Sequence, residues 1–292
     1  MSFSDFKDDG HNWITLASGS FYPDILSQAC ALYGPVLQLF GDLLHRSETS
    51  KRLFLEIAEL RDTWTRIQLA RVFRKYVSPQ TPVEMLKMKR AATRIVDRYG
   101  DEFRPIPEVQ AAFDSRPSPD EAICAILWEY KDRGRKGYDL TERFFTVFRD
   151  LHPNLPVKGP ERAGRDVLLG EVFPGYPNAR RPADFVIFDT TGRTPLAIGF
   201  ARYDSDRGGA QEDDRTGGYA NARDEVLSFA RQQRMALKVI FLNDGPGLLL
   251  GSMWNAYARL EQVDSNHVMV LTLRMIPERL SAEWLLNPTE VE

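Results

Sequence analysis

Three residues in the second half of the chain place acids and a base at the ends of apolar runs. Asp184 opens the run DFVIFD, Glu171 lies near the end of DVLLGEVF, and Arg202 follows PLAIGFA. An acid at the start of an apolar strand needs a partner or an ion, and two carboxylates at neighbouring strand ends suit a divalent cation such as Mg²⁺. An arginine beside them can neutralise charge on a phosphoryl group. Metal-assisted phosphodiester hydrolysis requires these residue types.

Glu171 and Arg202 also have a simpler, structural interpretation. Glu171 has the features of an ordinary exposed acid, and Arg202 has Asp204 and Asp206 close enough in sequence for a salt bridge. Such contacts would serve the fold alone. Both interpretations stay open at the level of sequence.

The most unusual stretch is RYDSDRGGAQEDDRTGGY, residues Arg202 to Tyr219, which mixes acids, arginines and four glycines with few apolar residues. Its glycines would let the backbone approach a DNA duplex closely. Arg207, Gln211 and Arg215 carry donors and acceptors that suit base edges or phosphates, and the neighbouring acids would hold the arginines in place. A solvated loop is the alternative, although ordering so many glycines without a ligand is costly.

Two other interpretations of this stretch are weaker. Asp204, Asp206 and Gly209 match positions of a calcium-binding loop, but Arg215 stands at its final position, which needs a carboxylate. The triplet DSD is also typical of the metal-binding acids of nucleotide-sugar transferases. That hypothesis predicts binding of a nucleotide diphosphate and no affinity for duplex DNA.

The elements that would position these residues change in character near residue 130. Residues 1–130 are predicted to form an all-helical region, because apolar residues recur there at spacings of three and four. From about residue 139 the order is helix, strand, strand, strand, helix, strand, with the turn TTGR joining two apolar runs into a hairpin. The sequence therefore predicts an α/β (α+β, mixed-sheet) region over 131–292.

Composition limits the class of protein. The chain has 292 residues, is 43% hydrophobic and carries a formal net charge of -3, which argues against a uniformly basic nucleic-acid binder. No apolar run is long enough to span a membrane, and the N-terminus lacks the pattern of a signal peptide, which predicts a cytoplasmic protein. Cys30 and Cys124 lie in apolar helical patterns and are predicted to be buried free thiols.

Positive charge is concentrated in one segment of the helical region. Either a solvated helix face or a surface that faces phosphates would account for it. The basic residues of this segment are Lys51, Arg52, Arg61, Arg66, Arg71, Arg74, Lys75, Lys87, Lys89, Arg90, Arg94 and Arg98.

The element order, the segment RPADFVIFD and the cation that closes the third strand resemble the core of the PD-(D/E)xK nucleases. Within that superfamily the chain is most similar to type II restriction endonucleases, and the segments GYDLTERFF and RAGRDVLLGEVFPGYP add to the resemblance. It implies an α-β-β-β-α-β core with Asp184 as the metal-binding aspartate. It also implies that Glu142 is the acid often found on the first helix, although Asp139 and Glu142 have capping-box spacing, which would be structural.

The third strand departs from the acid-x-lysine pattern of the family. One register places Phe200 and Arg202 at the two positions and keeps only the cation, whereas the other places Gly199 and Ala201 there and keeps neither. An acid that this copy has lost at Gly199 is a further alternative. The missing carboxylate is otherwise expected from Asp204, Glu171 or the following helix, where Glu212 and Asp213 stand.

Together these features predict a Mg²⁺-dependent, sequence-specific endonuclease that acts on double-stranded DNA. The predicted catalytic residues are Asp184, Arg202, Glu171, Glu212 and Glu142; the predicted metal ligands are Asp184, Glu171 and Asp204; and the predicted DNA contacts, around a recognition loop over 203–219, are Arg207, Gln211, Arg215, Asp206 and Arg181. The resemblance also implies a homodimer, with a DNA methyltransferase as genetic partner and the helical region as a DNA clamp or dimer interface. The alternative function is a non-catalytic DNA-binding protein on the same fold with an eroded site.

Overall fold

In the computed structural model the chain divides into two compact units. The helical unit comprises Gly19–Arg133, and the sheet unit comprises Met1–Ser18 together with Gly134–Glu292. The structure describes residues 1–83, 86, 88, 91–160, 164–205 and 210–289, without the side chains of 132–135 and 210–215. Each unit has its own buried apolar cluster.

The helices differ widely in length. In chain order they are α1 (Gly10–Trp13), α2 (Ile25–Arg46), α3 (Ser50–Glu59), α4 (Thr63–Tyr76), α5 (Ala91–Tyr99), α6 (Ile106–Asp114), α7 (Glu121–Leu151), α8 (Leu169–Val172), α9 (Ala210–Gln233), α10 (Met253–Gln262), α11 (Ile276–Arg279) and α12 (Ala282–Leu286). Across the described residues, none of them combines the length and apolar character needed to cross a membrane.

Side chains at two helix starts explain where helices of the helical unit begin. The Thr49 side chain accepts a hydrogen bond of 3.1 Å from the backbone N–H of Arg52 ahead of α3. Asp62 accepts one of 2.6 Å from the backbone N–H of Thr65 ahead of α4. These caps satisfy N–H groups that the first turn of a helix leaves unpaired. The predicted helical character of this part of the chain is confirmed.

The basic segment of the helical unit is partly structural. Arg66 is only 3% exposed, and its guanidinium donates to the backbone carbonyls of Leu60 and Arg61. Lys51 Nζ lies 2.5 Å from an oxygen of Asp101. The positions Lys87, Lys89 and Arg90 lie outside the described residues. A count of basic residues therefore overstates the charge that this segment can offer to a partner.

The strands form one mixed sheet and one small antiparallel pair. They are β1 (Val157–Lys158), β2 (Val167–Leu168), β3 (Pro182–Ala183), β4 (Phe185–Phe188), β5 (Pro195–Tyr203), β6 (Lys238–Asp244) and β7 (Val268–Leu271). The five-stranded sheet has the order β1-β4-β5-β6-β7; β1, β4 and β5 are antiparallel neighbours, and β5, β6 and β7 are parallel. β2 pairs with β3. The predicted α/β class with a mixed sheet is confirmed at this level.

The turn between β4 and β5 follows from its own side chains. Asp189 accepts hydrogen bonds from the Thr191 hydroxyl and from the backbone N–H groups of Arg193 and Thr194, at 2.8, 3.1 and 3.1 Å. Gly192 has a φ of +70°, which favours glycine. The predicted hairpin is thus present, and it fixes β4 against β5.

Helices cover both faces of the sheet. Phe144 of α7 stacks on Phe185 of β4, with ring centroids 4.2 Å apart. Tyr219 of α9 lies against Phe241 of β6 at 4.8 Å, and Phe241 stacks on Phe200 of β5 at 5.7 Å. Phe185 pairs with Gly199 and therefore shares its face of the sheet. Because successive residues of a strand alternate between the faces, Phe200, which follows Gly199, points to the opposite face.

The strand predicted for DVLLGEVF is mostly wrong. Only Val167–Leu168 is extended, and the chain turns directly into the short helix α8. The backbone N–H groups of Leu169 and Gly170 bond to the carbonyls of Arg181 and Ala179, at 2.9 and 3.1 Å. The outer strand beside β4 is β1 instead. Apolar content alone cannot separate a short strand from a short helix, because both bury such residues.

The prediction that residues 1–130 form a single region does not hold for Met1–Ser18, which pack with the sheet unit. Phe3 is fully buried and stacks on Trp254, with ring centroids 4.6 Å apart. The backbone N–H of Thr15 donates to Asp244 at the end of β6 at 2.6 Å. These contacts join residues more than two hundred positions apart, so local sequence pattern carries no sign of them.

Candidate active site

A cavity of about 480 Å³ lies in the sheet unit beside the start of β4. Its lining combines two acids, two arginines and two aromatic rings, which are Asp166, Asp184, Arg181, Arg202, Phe200 and Tyr219. Backbone of α9 also contributes, through Gly218. The structure therefore brings Asp184 and Arg202, the two residues at the centre of the sequence hypothesis, into one cavity.

Asp184 is held by the neighbouring strand. Its backbone N–H donates to the Gly199 carbonyl at 2.9 Å, and its side-chain Oδ2 accepts from the backbone N–H of Ala201 at 2.7 Å. The pKa of its carboxyl is raised from 3.8 to about 6, chiefly by burial and also by the negative charge of Asp166, although the bond from Ala201 lowers it. A partly buried acid with a second acid nearby is a setting that a bound cation would stabilise.

The pairing of β4 with β5 decides between the two registers left open by the sequence. Phe185 pairs with Gly199, so Asp184 shares a sheet face with Phe200 and, two residues on, with Arg202. Gly199 points to the other face, where an added Cβ would come within 2.0 Å of the Phe185 ring. An acid at position 199 would therefore point away from Asp184 into packed core. Of the two alignments proposed from the sequence, the observed register matches the one that places Phe200 and Arg202 on the face of Asp184.

Asp166 is a residue that the sequence interpretation missed. β2 and β3 pair in the register Val167 with Ala183 and Leu168 with Pro182, so Asp166 is the next position opposite Asp184. Asp184 lies between the short strand β3 and β4. In the antiparallel pairing of β3 with β2, the residue opposite Asp184 is the one just before β2, which is Asp166. A signal existed, because Asp166 opens the apolar run DVLL in the same way that Asp184 opens DFVIF.

Glu171, predicted as the metal-binding partner of Asp184, lies elsewhere. It belongs to α8, its side chain is 57% exposed, and it pairs with Arg165 at 2.7 Å. It is not among the residues that line the Asp184 cavity. The reason is the early end of β2, since the chain has already entered a helix when it reaches Glu171.

Asp204 is also separate from the cavity. Its side chain is 1% exposed; Oδ1 accepts from Arg202 Nε at 3.2 Å, and Oδ2 accepts from the Tyr257 hydroxyl at 2.9 Å. Because both oxygens are engaged inside the protein, the geometry does not support the prediction that Asp204 binds metal beside Asp184. The salt bridge to Arg202, which was the plainer interpretation, is present.

Glu142 lines a different cavity, of about 280 Å³, together with Lys136, Asp139, Arg143 and Tyr203. Tyr203 follows Arg202 in β5 and therefore points to the opposite face of the sheet from Arg202. The structure does not bring Glu142 to Asp184. The sequence pattern predicts that Glu142 lies on a helix, but the packing of α7 against the sheet decides which cavity the Glu142 side chain lines.

Arg181, predicted to contact DNA, is already paired. Its Nε and Nη2 donate to the two carboxylate oxygens of Glu225 at 2.8 and 2.6 Å. This bidentate pair raises the pKa of the Arg181 guanidinium and fixes it at the wall of the cavity. Arg181 therefore serves first to join the segment before β3 to α9.

A buried amide without a partner lies next to Arg202. Asn243 of β6 is the strand neighbour of Arg202 and is fully buried. Neither its Oδ1 nor its Nδ2 has a hydrogen-bond partner among the residues that the structure describes. A buried amide left in this state costs stability.

The remaining predicted residues lie outside the part of the chain that is described. Asp206 and Arg207 fall in the undescribed segment 206–209. Gln211, Glu212, Asp213 and Arg215 stand in the first turns of α9, whose side chains are not described up to residue 215. Among described residues, no group of three or more His, Cys, Asp or Glu side chains could hold a metal ion. The described acids of the cavity are therefore the pair Asp166 and Asp184.

No protein-family model and no curated protein sequence matches this chain.

Proposed function

We propose that the protein is a Mg²⁺-dependent, sequence-specific endonuclease of the restriction type that hydrolyses phosphodiester bonds of double-stranded DNA. The observation that carries the proposal is the meeting of Asp184, Asp166 and Arg202 in one cavity at adjoining strand ends. Acids and a cation in this arrangement suit phosphoryl chemistry better than any other reaction class considered from the sequence.

The topology supports the same proposal. The antiparallel strands β1, β4 and β5 are followed by α9 and the parallel strand β6, and β2, α8 and β3 stand between β1 and β4. This order is compatible with the α-β-β-β-α-β core that the sequence resembles. α7 precedes this series and packs against β4 through Phe144. In that core the metal-binding aspartate stands at the position of Asp184.

The donor set fits a divalent cation held by Asp166 and Asp184. Both are hard oxygen ligands, and the raised pKa of Asp184 reflects burial and mutual repulsion that a cation would offset. A bound Mg²⁺ would polarise the phosphodiester and lower the pKa of an attacking water. Arg202 would stabilise the negative charge that develops on the phosphoryl oxygens. Glu212 is the proposed third acid.

The proposal includes DNA recognition by the segment 203–219, through Arg207, Gln211 and Arg215. It also includes a homodimer that cuts both strands of a palindrome, a DNA methyltransferase as genetic partner, and a cytoplasmic location. The exposed backbone of Gly217 and Gly218 supports this part, because added Cβ atoms there would meet no atom of the described residues within 4 Å. A duplex could approach this turn of α9 closely.

Cleavage of mixed-sequence duplex DNA tests the proposal directly. Wild-type protein with Mg²⁺ is expected to give fragments with a common end sequence, and removal of Mg²⁺ by a chelator should abolish cutting. Asp184→Asn should lower the cleavage rate by at least about a hundredfold, because the carboxylate would hold the metal. Asp150→Asn, an exposed acid of α7, is the matched control and should cleave normally. Intact DNA at every Mg²⁺ concentration would refute the proposal.

One observation favours a second candidate, a non-catalytic DNA-binding protein. Phe200 occupies the strand position where the acid of the nuclease pattern belongs, and its ring packs on Phe241. Such a protein would retard duplex DNA on a gel, with affinity that falls steeply as salt rises, and would leave the DNA intact. The same DNA incubated with Mg²⁺ therefore distinguishes the two candidates.

A further inference from the structure

We infer that Asp204 and Tyr257 position Arg202 for the reaction, forming a fixed chain from the core of the sheet unit to the cavity. The inference deepens the proposed function and rests on it, because it assigns Arg202 its charge-stabilising role. Asp204 and Tyr257 themselves do not line the cavity. They are positioning residues and act through Arg202.

The contacts link the partly exposed Arg202 to Asp204 and then to Tyr257, both of which are buried. The Arg202 side chain is 38% exposed and donates through Nε to Asp204 Oδ1 at 3.2 Å. Asp204, at 1% exposure, accepts through Oδ2 from the hydroxyl of Tyr257 at 2.9 Å. Tyr257 of α10 is fully buried. The carboxylate is thus held from the inside and presents one oxygen to the arginine.

The backbone around Asp204 is equally constrained. Its N–H donates to the Asp244 carbonyl, and its own carbonyl accepts from the N–H of Gly247, both at 2.8 Å. An added Cβ at Gly245 or Gly247 would come within 2.4 or 2.8 Å of the Asp204 carbonyl oxygen. Gly245 also has a φ of +108°, which disfavours any other residue. The two glycines therefore allow Asp204 to sit tightly against the end of β6.

This arrangement has a physical consequence for Arg202. A long side chain that ends at a solvent-facing cavity loses rotamer freedom when it binds an anion, and that loss weakens binding. A contact through Nε fixes the guanidinium beforehand and leaves its two Nη groups to donate to a phosphate. Fixed donors stabilise developing charge without reorganisation during the reaction. Asp204 and Tyr257 are the groups that supply this fixation.

The first test compares Asp204→Asn and Tyr257→Phe with a matched control. Glu261→Gln is the control, because Glu261 is also a buried acid of the sheet unit that pairs with an arginine, Arg279, at 2.7 Å, away from the cavity. With Mg²⁺, Asp204→Asn is expected to lower kcat for DNA cleavage by about 10–100-fold with little change in KM, and Tyr257→Phe by a smaller factor. The control should lose thermal stability but keep kcat.

A double-mutant cycle separates positioning from general damage. If Asp204 acts through Arg202, Asp204→Asn should have little further effect on kcat when Arg202 is already Lys. The inference would be overturned if the effects of Asp204→Asn and Arg202→Lys on kcat multiplied in the double variant. It would also be overturned if Asp204→Asn lowered kcat no more than Glu261→Gln does.

A readout without DNA makes the inference independent of whether cleavage occurs. The Nε–H signal of Arg202 in ¹H–¹⁵N spectra, assigned by its loss in Arg202→Lys, should exchange slowly with solvent in the wild type. Asp204→Asn and Tyr257→Phe should accelerate that exchange, whereas Glu261→Gln should not. If the DNA stays intact but Nε–H exchange is slow, the nuclease proposal is refuted and the positioning contact is supported. Fast exchange in the wild type would refute the positioning itself.

Discussion

At the scale of single residues, the cavity owes its character to where charge is buried. Burial of Asp184, together with the negative charge of Asp166 opposite it, raises the pKa of its carboxyl to about 6. By contrast, the positive charge of Arg202 is balanced by the carboxylate of the buried Asp204. The site therefore keeps one acid in a setting that disfavours its charge, as functional sites often do.

The raised pKa of Asp184 predicts a pH dependence of stability. The folded state holds the Asp184 proton more tightly than the unfolded state, so the stability from this group is full below pH 3.8 and is lost as pH rises to about 6. Asp184→Asn, which has no charge to bury, should therefore raise the free energy of unfolding above pH 6 by about 1–3 kcal/mol. Urea titrations at pH 4 and 7.5 measure this gain. An equal effect at both pH values would contradict the prediction.

The unpaired amide of Asn243 gives a second prediction at this scale. Asn243→Leu keeps the branched shape and the number of heavy atoms and removes a buried polar group that has no described partner, so the free energy of unfolding should stay level or rise by about 1 kcal/mol. Thr15→Val is the contrasting variant, because the Thr15 hydroxyl donates to Asp244 at 2.9 Å and its loss should cost about 1–3 kcal/mol. Chemical denaturation of both variants provides the comparison. A clear destabilisation by Asn243→Leu would show that the amide is satisfied in solution.

At the scale of elements, the pairing of β4 and β5 positions the site. Their register sets Asp184, Phe200 and Arg202 on one face and Phe185 with Gly199 on the other. The missing side chain at Gly199 leaves the space that the Phe185 ring fills beside β5, where the ring also stacks on Phe144 of α7. Packing on the face covered by α7 thus affects the geometry of the opposite face, which carries Asp184 and Arg202.

Gly199→Ala tests this dependence. The added Cβ would come within 2.0 Å of the Phe185 ring, so the strands or the ring must shift, and the free energy of unfolding should fall by about 1–3 kcal/mol or more. Gly137→Ala in α7 is the control, since an added Cβ meets no described atom within 4 Å and helix propensity should make the substitution stabilising by about 1 kcal/mol. Thermal unfolding of the two variants should therefore shift in opposite directions. If Gly199→Ala leaves the free energy of unfolding unchanged, the strands or the Phe185 ring can shift without cost, which would contradict the prediction.

At the scale of the whole molecule, the sheet unit is closed by residues from both ends of the chain. Glu261 of α10 accepts hydrogen bonds from the backbone N–H of Phe3 and Val270, both at 2.9 Å, and pairs with Arg279. Asp244 receives both the N–H and the hydroxyl of Thr15. The first eighteen residues therefore belong to the sheet unit, and Phe3, Phe6 and Ile14 contribute to its core.

Removal of Met1–Ser18 should consequently destabilise the sheet unit. The truncated chain would expose Trp254 and leave the buried carboxylates of Asp244 and Glu261 without several donors, which costs several kcal/mol. Limited proteolysis should then cut within 134–289 at temperatures where the full chain resists. Helical signal from the helical unit should persist in circular dichroism. Unchanged resistance after truncation would contradict this account of the N-terminal segment.

The sequence by itself determined the class of fold, the helical character of 19–130, the β4–β5 hairpin and the pair of residues at the centre of the hypothesis. Asp184 and Arg202 stand out because a charged residue at the end of an apolar run is a local signal, and local signals can be read from a single chain. The function inferred from them is still a prediction that awaits its DNA cleavage test.

Only the tertiary structure decided which acids meet. The same kind of local signal could not separate Asp166 from Glu171, because one short helix, α8, turns Glu171 away while β2 places Asp166 opposite Asp184. It could not tell that Asp204 is buried under Arg202, or that Glu142 lines another cavity. Strand register and helix packing are set by contacts between residues far apart in the chain, and a shift of one residue in register moves a side chain to the other face of the sheet.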